Sequence, residues 1–172
     1  MIKYLGSKKR LLPVLGDLFS RSGATTALDL FSGTTRVARE FKQRGGAVTA
    51  VDTARYSEVF AKCWIESSVD DIPQHDLDEA LRHLNLLPGE PGYFTDTFCV
   101  KSRFFQPKNG ERIDAIRDCI ETDYVGSPLH PVLLTSLILA ADRVDSTTGV
   151  QMAYLKEWAP RSFHDLELRN PG

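Results

Sequence analysis

No stretch of the 172 residues holds about 18 consecutive apolar side chains, so the sequence offers no membrane-spanning helix. Cysteine is scarce. Cys63, Cys99 and Cys119 are odd in number, widely separated and without metal-ligand spacing. Neither a disulfide framework nor a metal site is expected, and the thiols read as reduced in a cytoplasmic protein. The histidines His75, His83, His130 and His164 share no partner spacing, so no chemistry is assigned to them. Charge of one sign is not in excess either, with a formal net charge of -2. Any polyanion must therefore be met by a local patch, not by the field of the whole molecule. The basic cluster Lys8-Lys9-Arg10 has no apolar core behind it, so no secretory signal is expected. Repeats and low-complexity tracts are absent. Hydrophobic residues make up 42% and charged residues 26%, which suits one globular domain with a small appendage.

Apolar spacing then places the elements. Residues 9–19 bring Leu11, Leu12, Leu15, Leu18 and Phe19 to one helical face, with Pro13 in the first turn. Residues 25–31 are short and mostly apolar, as a buried strand would be. A turn at 32–35 leads to a helix over 36–44, stopped by Gly45-Gly46. A second strand over 47–51 ends at Asp52, and Tyr56, Val59, Phe60, Cys63 and Trp64 recur at helical spacing. Two strands joined by a crossover helix make a parallel unit. After Ser67 the composition changes. Residues 69–75 read as a linker, and Asp76 to Glu79 as a capping box opening a helix through Leu77, Ala80, Leu81 and Leu84. Residues 92–110 are aromatic and basic without a clear period. A helix over 111–122 carries Ile113, Ile116 and Ile120. Another, opened by Ser127-Pro128, carries Leu129, Val132, Leu133, Leu137, Ala140 and Val144. Residues 151–171 look irregular, and no strand is expected beyond residue 76.

The chemistry concentrates where the first strand hands over to a helix. In Asp29-Leu30-Phe31-Ser32-Gly33 the turn lets backbone amides approach a ligand, and the helix N-terminus favours negative charge. Gly33 has no side chain to hold the ligand off. Asp52 stands 19 residues later at the end of the second strand. In dinucleotide folds an acid at that place binds ribose hydroxyls. Only one glycine stands in the turn, so a pyrophosphate cradle is absent and NAD and FAD are disfavoured. A nucleoside without phosphates needs only one close approach and the ribose acid. Two plainer readings remain. The turn could belong to another α/β domain, and Asp52 could cap the next helix, alone or while also binding.

Two stretches in this order, Tyr4-Leu5-Gly6-Ser7-Lys8 and Asp29-Leu30-Phe31-Ser32-Gly33-Thr34, together with Asp52, resemble the Dam-like class of adenine-specific DNA methyltransferases. That family opens with an aromatic-x-G-x-K element and carries a D-x-F-x-G-x cofactor loop. The segment from Arg103-Phe104-Phe105 to Arg117 resembles the middle region of some members, so the likeness covers about residues 2–120. It implies S-adenosylmethionine as cofactor. Tyr4, Gly6, Ser7 and Lys8 would line its methionine end, with Lys8 near the carboxylate and Asp29 near the amino group. Phe31, Ser32, Gly33 and Thr34 would form the loop, and Asp52, with Thr53 beside it, would hold the ribose. Thr34-Thr35 departs from the family, where a further small residue or glycine is common. The implied fold is α/β. It comprises an incomplete Rossmann-like methyltransferase core over 1–70, a helical target-recognition region over 71–160 and an irregular tail over 161–172.

The family also needs a D-P-P-Y-type segment, whose acceptors hold the target amine and whose ring stacks on the flipped adenine. The sequence contains no adjacent Pro-Pro. The expectation is therefore a truncated or split adenine-N6 methyltransferase, inactive alone, that needs a second chain or self-associates. A non-catalytic DNA- or cofactor-binding remnant is the alternative, as is a fragment of a small-molecule or RNA methyltransferase. Lys101, Arg103, Lys108 and Arg112, interleaved with Phe98, Phe104 and Phe105, are the candidate contacts to phosphates of double-stranded DNA. The plainer reading is a solvated basic face over an aromatic mini-core, with Asp114 and Arg117 as a surface pair.

Overall fold

Residues 8–148 and 155–172 are described by the computed structural model. Among them the chain is mixed α/β and mostly helical, with one short parallel sheet. It divides into two compact units, one ending at Asp71 and the other beginning at Ile72.

In the first unit a 3-10 turn, Lys8–Leu11, leads into α1, Leu12–Ser22. Pro13 stands in its first turn, where its missing N–H costs nothing. Strand β1, Thr26–Asp29, pairs in parallel with β2, Ala47–Ala50, and Asp29 lies opposite Ala50. The crossover is α2, Arg36–Gln43, after which Gly45 turns to a φ of 86. Helix α3, Arg55–Ala61, runs on into a π-helical turn, Lys62–Glu66. Aromatic stacking holds these pieces together. Phe19 of α1 lies 4.8 Å from Phe41 of α2, and Phe60 lies 5.0 Å from Trp64. Arg39 covers the Trp64 ring at 4.3 Å. Lys42 Nζ donates to the carbonyls of Trp64, Ile65 and Ser67 at 3.2, 2.8 and 3.0 Å. A cation is thereby placed where a helix end is negative.

The strands correct one expectation. They are four residues each, shorter than the apolar runs suggested, and of their residues only Asp29 is buried. Leu28, Leu30 and Val51 are 57%, 55% and 45% exposed. Apolar spacing says which side chains could be covered. It does not supply the layer that covers them. The apolar face expected over 9–19 tells the same story: Leu11, in the 3-10 turn, and Leu18 of α1 stand exposed.

The second unit holds α4, Gln74–Leu86, and the single turn α5, Tyr93–Thr95, which continues as a π-helical turn, Asp96–Val100. Then come α6, Pro107–Asp123, and α7, Leu129–Val144. Its core matches the periodicity well. Ile113, Ile116 and Ile120 are buried, as are Val132, Leu133, Leu137, Ala140 and Val144, and α4 adds Leu77, Leu81 and Leu84. Two boundaries move. Helix α4 begins at Gln74 without a side-chain cap, so the capping box at Asp76 is not formed. Helix α6 begins four residues before Glu111, because Pro107 fits the first turn.

Asp114 is a further correction. It turns inward instead of pairing with Arg117 on the surface. Its carboxylate accepts the backbone amides of Gly92, Phe94 and Thr95 at 2.9, 2.8 and 2.8 Å, and the Thr95 hydroxyl at 2.7 Å. Burial pushes this carboxyl up, but the donors outweigh it and hold it below the ordinary carboxylate value. The same segment approaches α6 so closely that a methyl group on Gly110 would lie 2.3 Å from Cys99 Sγ. Phe94, Phe98, Phe104 and Phe105 pack as an aromatic mini-core, with ring centroids 4.8 to 6.2 Å apart.

The C-terminal segment is extended and well tied. Asn109 of α6 donates to the carbonyls of Ser162 and His164 and accepts the Leu166 amide. Asn85 of α4 and Ser136 of α7 do the same for the main chain of Leu168 and Arg169. Leu166 and Leu168 are 2% exposed, while Asp165, Glu167 and Arg169 between and beside them face out. Leucine alternating with charge over these residues is a period-two signal, the one trace in the sequence of this ordered segment.

Candidate functional site

The end of β1 and the turn after it form the centre of the site. Ladder bonding extends one step past the strands, with Val51 N–H donating to the Asp29 carbonyl at 2.8 Å and Ser32 N–H to that of Val51 at 3.2 Å. The turn then needs two left-handed residues, Gly33 at φ 50 and Thr35 at φ 57. Thr35 is fully buried and opens α2. Its hydroxyl donates to the Thr34 carbonyl at 2.8 Å and does not cap the helix. The departure Thr34-Thr35 thus falls where glycine would turn without strain.

Asp52 organises the loop. Its Oδ2 accepts the Gly33 amide at 2.8 Å, and its Oδ1 accepts the Ala54 amide at 2.9 Å, just before α3. Those amides hold its carboxyl below the ordinary value, Ala54 foremost and Gly33 next. One carboxylate therefore fastens the loop after β1 to the start of α3. Ser57 of α3, buried and unsuspected from the sequence, adds a hydroxyl bond to the Gly33 carbonyl. No motif marks it, because its role depends on the turn and the helix meeting.

Asp29 is 7% exposed, and its Oδ2 is buried with no hydrogen-bond partner among the described residues. Its other oxygen lies 3.9 Å from Lys8 Nζ, which also donates to the Phe31 carbonyl at 3.4 Å. Phe31 is 81% exposed. Ser32 is buried, Thr34 half-buried and Thr53 exposed. Lys8, Asp29, Phe31, Ser32, Gly33, Thr34 and Asp52 thus gather at one end of the sheet. Tyr4, Gly6 and Ser7 lie outside the described residues. A hollow of about 520 Å³ runs from Ser32 and Asp52 along β2 and α3 to Ile65.

The family model of the D12 class of N6 adenine-specific DNA methyltransferases matches residues 4–171. The chain belongs to that family. This D12-class chain is 31% identical to the modification methylase StsI of Streptococcus sanguinis, over 98% of this chain and 28% of that protein. It is likewise 31% identical to the type II methyltransferase M.NlaIII of Neisseria lactamica, over 97% of this chain and 53% of the relative. For M.CviAII of Paramecium bursaria Chlorella virus 1 the identity is 29%, over 91% and 50%. The chain thus spans about half the length of two of these relatives and less of the third. No solved structure matches it significantly.

In the second unit of this D12-class chain the four basic candidates all have partners within the chain. Lys101 is 69% exposed and pairs with Asp96. Arg103 lies 4.8 Å over the Trp158 ring and donates to the Lys156 carbonyl at 3.0 Å. Lys108 donates to the Phe163 carbonyl at 2.8 Å and to Asp165 at 2.6 Å. Arg112 is half-buried and donates to the Asn85 carbonyl at 3.0 Å. No helix among the described residues is long and apolar enough to cross a membrane.

Proposed function

We propose that this D12-class chain supplies the S-adenosylmethionine-binding part of a DNA adenine-N6 methyltransferase. One observation carries the reading: the buried, unpartnered Oδ2 of Asp29 at the carboxyl end of β1. A buried acceptor left without a donor costs about 1–3 kcal/mol, more when charged. An ammonium group brought to that oxygen removes the penalty, and the amino group of the cofactor's methionine is such a donor. The neighbouring residues fit the rest of the ligand. Asp52 is exposed, and each of its oxygens takes one backbone amide here, leaving lone pairs for ribose hydroxyls. Phe31 offers an uncovered aromatic face, and Lys8 a cation for a carboxylate. When bound, the cofactor supplies a methyl group activated on a sulfonium.

On this reading the two strands and their crossover are the first part of a Rossmann-like core, and the helical unit is the target-recognition region. Double-stranded DNA is the partner, and the modification methylases among the relatives suggest a restriction-modification setting. Lys101, Arg103, Lys108 and Arg112 are the proposed phosphate contacts. The exposed Lys101–Asp96 pair is worth little in water, so its ammonium can turn to a phosphate at small cost. Arg112, committed to α4, has least to give. The sequence contains no adjacent Pro-Pro and so no D-P-P-Y-type segment to accept hydrogen bonds from the target amine. Alone the chain should transfer no methyl group.

Calorimetry with S-adenosylmethionine tests the site. Asp29→Asn preserves shape but replaces an anionic acceptor, and affinity should fall at least about tenfold, or roughly 1.4 kcal/mol. Asp52→Ala should weaken binding by roughly 1–3 kcal/mol. Unchanged affinity in Asp29→Asn, or no binding by the unaltered chain, refutes the reading.

A further inference from the structure

Three unlike donors meet within the helical unit, outside the site described above. His83 stands in the last turn of α4. Cys119 and Asp123 stand four residues apart on α6, so one face of that helix carries both. Cys119 Sγ lies 3.7 Å from His83 Nε2 and 3.3 Å from Asp123 Oδ2. The sulfur, a ring nitrogen and a carboxylate oxygen all lie within 4.8 Å of one another. A tetrahedral zinc ion, with bonds of roughly 2.0–2.3 Å, sets its ligand atoms about 3.3–3.6 Å apart. The two measured separations already fall near that value. A thiol–carboxylate hydrogen bond explains the second distance, but not why an imidazole from another helix joins it.

We propose that His83, Cys119 and Asp123 bind one zinc ion, with a solvent molecule as fourth ligand. Thiolate and imidazole favour zinc over magnesium or calcium, and a carboxylate is an ordinary third ligand. Binding forms a sulfur–zinc bond and releases the Cys119 thiol proton to water. Glu79, exposed one turn before His83 on α4, adds negative charge to that helix face. The ion joins α4 to α6 across 36 residues of sequence, so it should raise the unfolding temperature of the chain. No spacing rule would have found the set, since His83 and Cys119 are neighbours only after the helices pack.

The test uses the full chain, freed of metal with a chelator and dialysed. Zinc chloride is titrated calorimetrically, and cobalt chloride is followed by absorption. One zinc per chain is expected, with an intense near-ultraviolet thiolate-to-cobalt band. Outer-shell changes around metals typically cost 10–100-fold in affinity, so the ligand changes His83→Ala, Cys119→Ser and Asp123→Asn should each cost at least about tenfold. Cys119→Ser should also abolish the cobalt band, and the exposed control His75→Ala should change nothing. His83 and Asp123 are exposed and Cys119 half-exposed, and unfolding curves of the metal-free variants confirm that each folds. Absence of zinc binding overturns the proposal, as does a cobalt band that survives Cys119→Ser or an affinity unchanged in His83→Ala.

Discussion

At Gly33 an added methyl group would meet nothing within 4 Å of the chain, yet φ is 50. Backbone rotation therefore demands glycine there, and crowding does not. Gly33→Ala should destabilise the chain by about 1–2 kcal/mol, the left-handed penalty for an L-residue. Urea unfolding checks this, and a neutral substitution would show that the turn relaxes to negative φ. Two residues on, Thr35 bears the same rotation with a β-branched side chain, which only full burial keeps in place. The strain sits in the loop that Asp52 fastens. Asp29, Gly33 and Asp52 were legible in the sequence because a strand–turn–helix puts them at one sheet end whatever surrounds them. Ser57 was not, since a serine on a helix carries no spacing signal.

Helix α6 shows how one inward carboxylate organises an element. Asp114 gathers the start of α5, and only the ionised carboxylate can accept all four of those bonds at full strength. Its folded-state pKa is lowered, so its contribution is fully present above the unfolded value of about 4 and lost as pH falls through the folded one. Asp114→Asn should cost roughly 2–4 kcal/mol at neutral pH, because an amide cannot accept all those donors and its own N–H₂ faces at least one of them. The variant should also lose part of the acid-induced drop in stability. Melting temperatures of both proteins from pH 7 down to about 3 decide it, and parallel curves would mean another group carries the acid sensitivity. Helices α6 and α7 were readable because their isoleucine and leucine periodicity meets a partner inside the chain. The strands were readable only as strands. Their burial depends on a covering layer that no local pattern encodes.

For the whole molecule, the contrast between the two units decides solution behaviour. The helical unit buries the apolar faces of α4, α6 and α7, although Leu86, Tyr93, Val100, Val125 and Phe163 stand exposed. The sheet unit leaves Leu28, Leu30, Phe31 and Val51 in water, besides Leu11 just before α1 and Val14 and Leu18 within it. A two-stranded sheet also has unpaired strand edges, and such edges invite association. The chain should therefore self-associate with rising concentration, and light scattering should give a mass above 19.2 kDa. Leu28→Lys should return the mass toward the monomer. A concentration-independent monomer would show that these side chains find cover within the chain.

The extended C-terminal segment has a kinetic consequence. The amides of Leu166, Leu168 and Arg169 donate to side chains of Asn109, Asn85 and Ser136, one on each of three helices. Breaking any of them requires the segment to leave α4, α6 and α7. In deuterated solvent these three amide protons should exchange slowly, on the timescale of global opening of the helical unit. The amide of Glu167, whose side chain faces out and for which no such bond is formed, should exchange within the dead time of the same experiment. A segment without regular secondary structure would then carry slow protons at Leu166, Leu168 and Arg169 around a fast one at Glu167, the isotopic signature of a chain whose hydrogen-bonding neighbour is made of side chains.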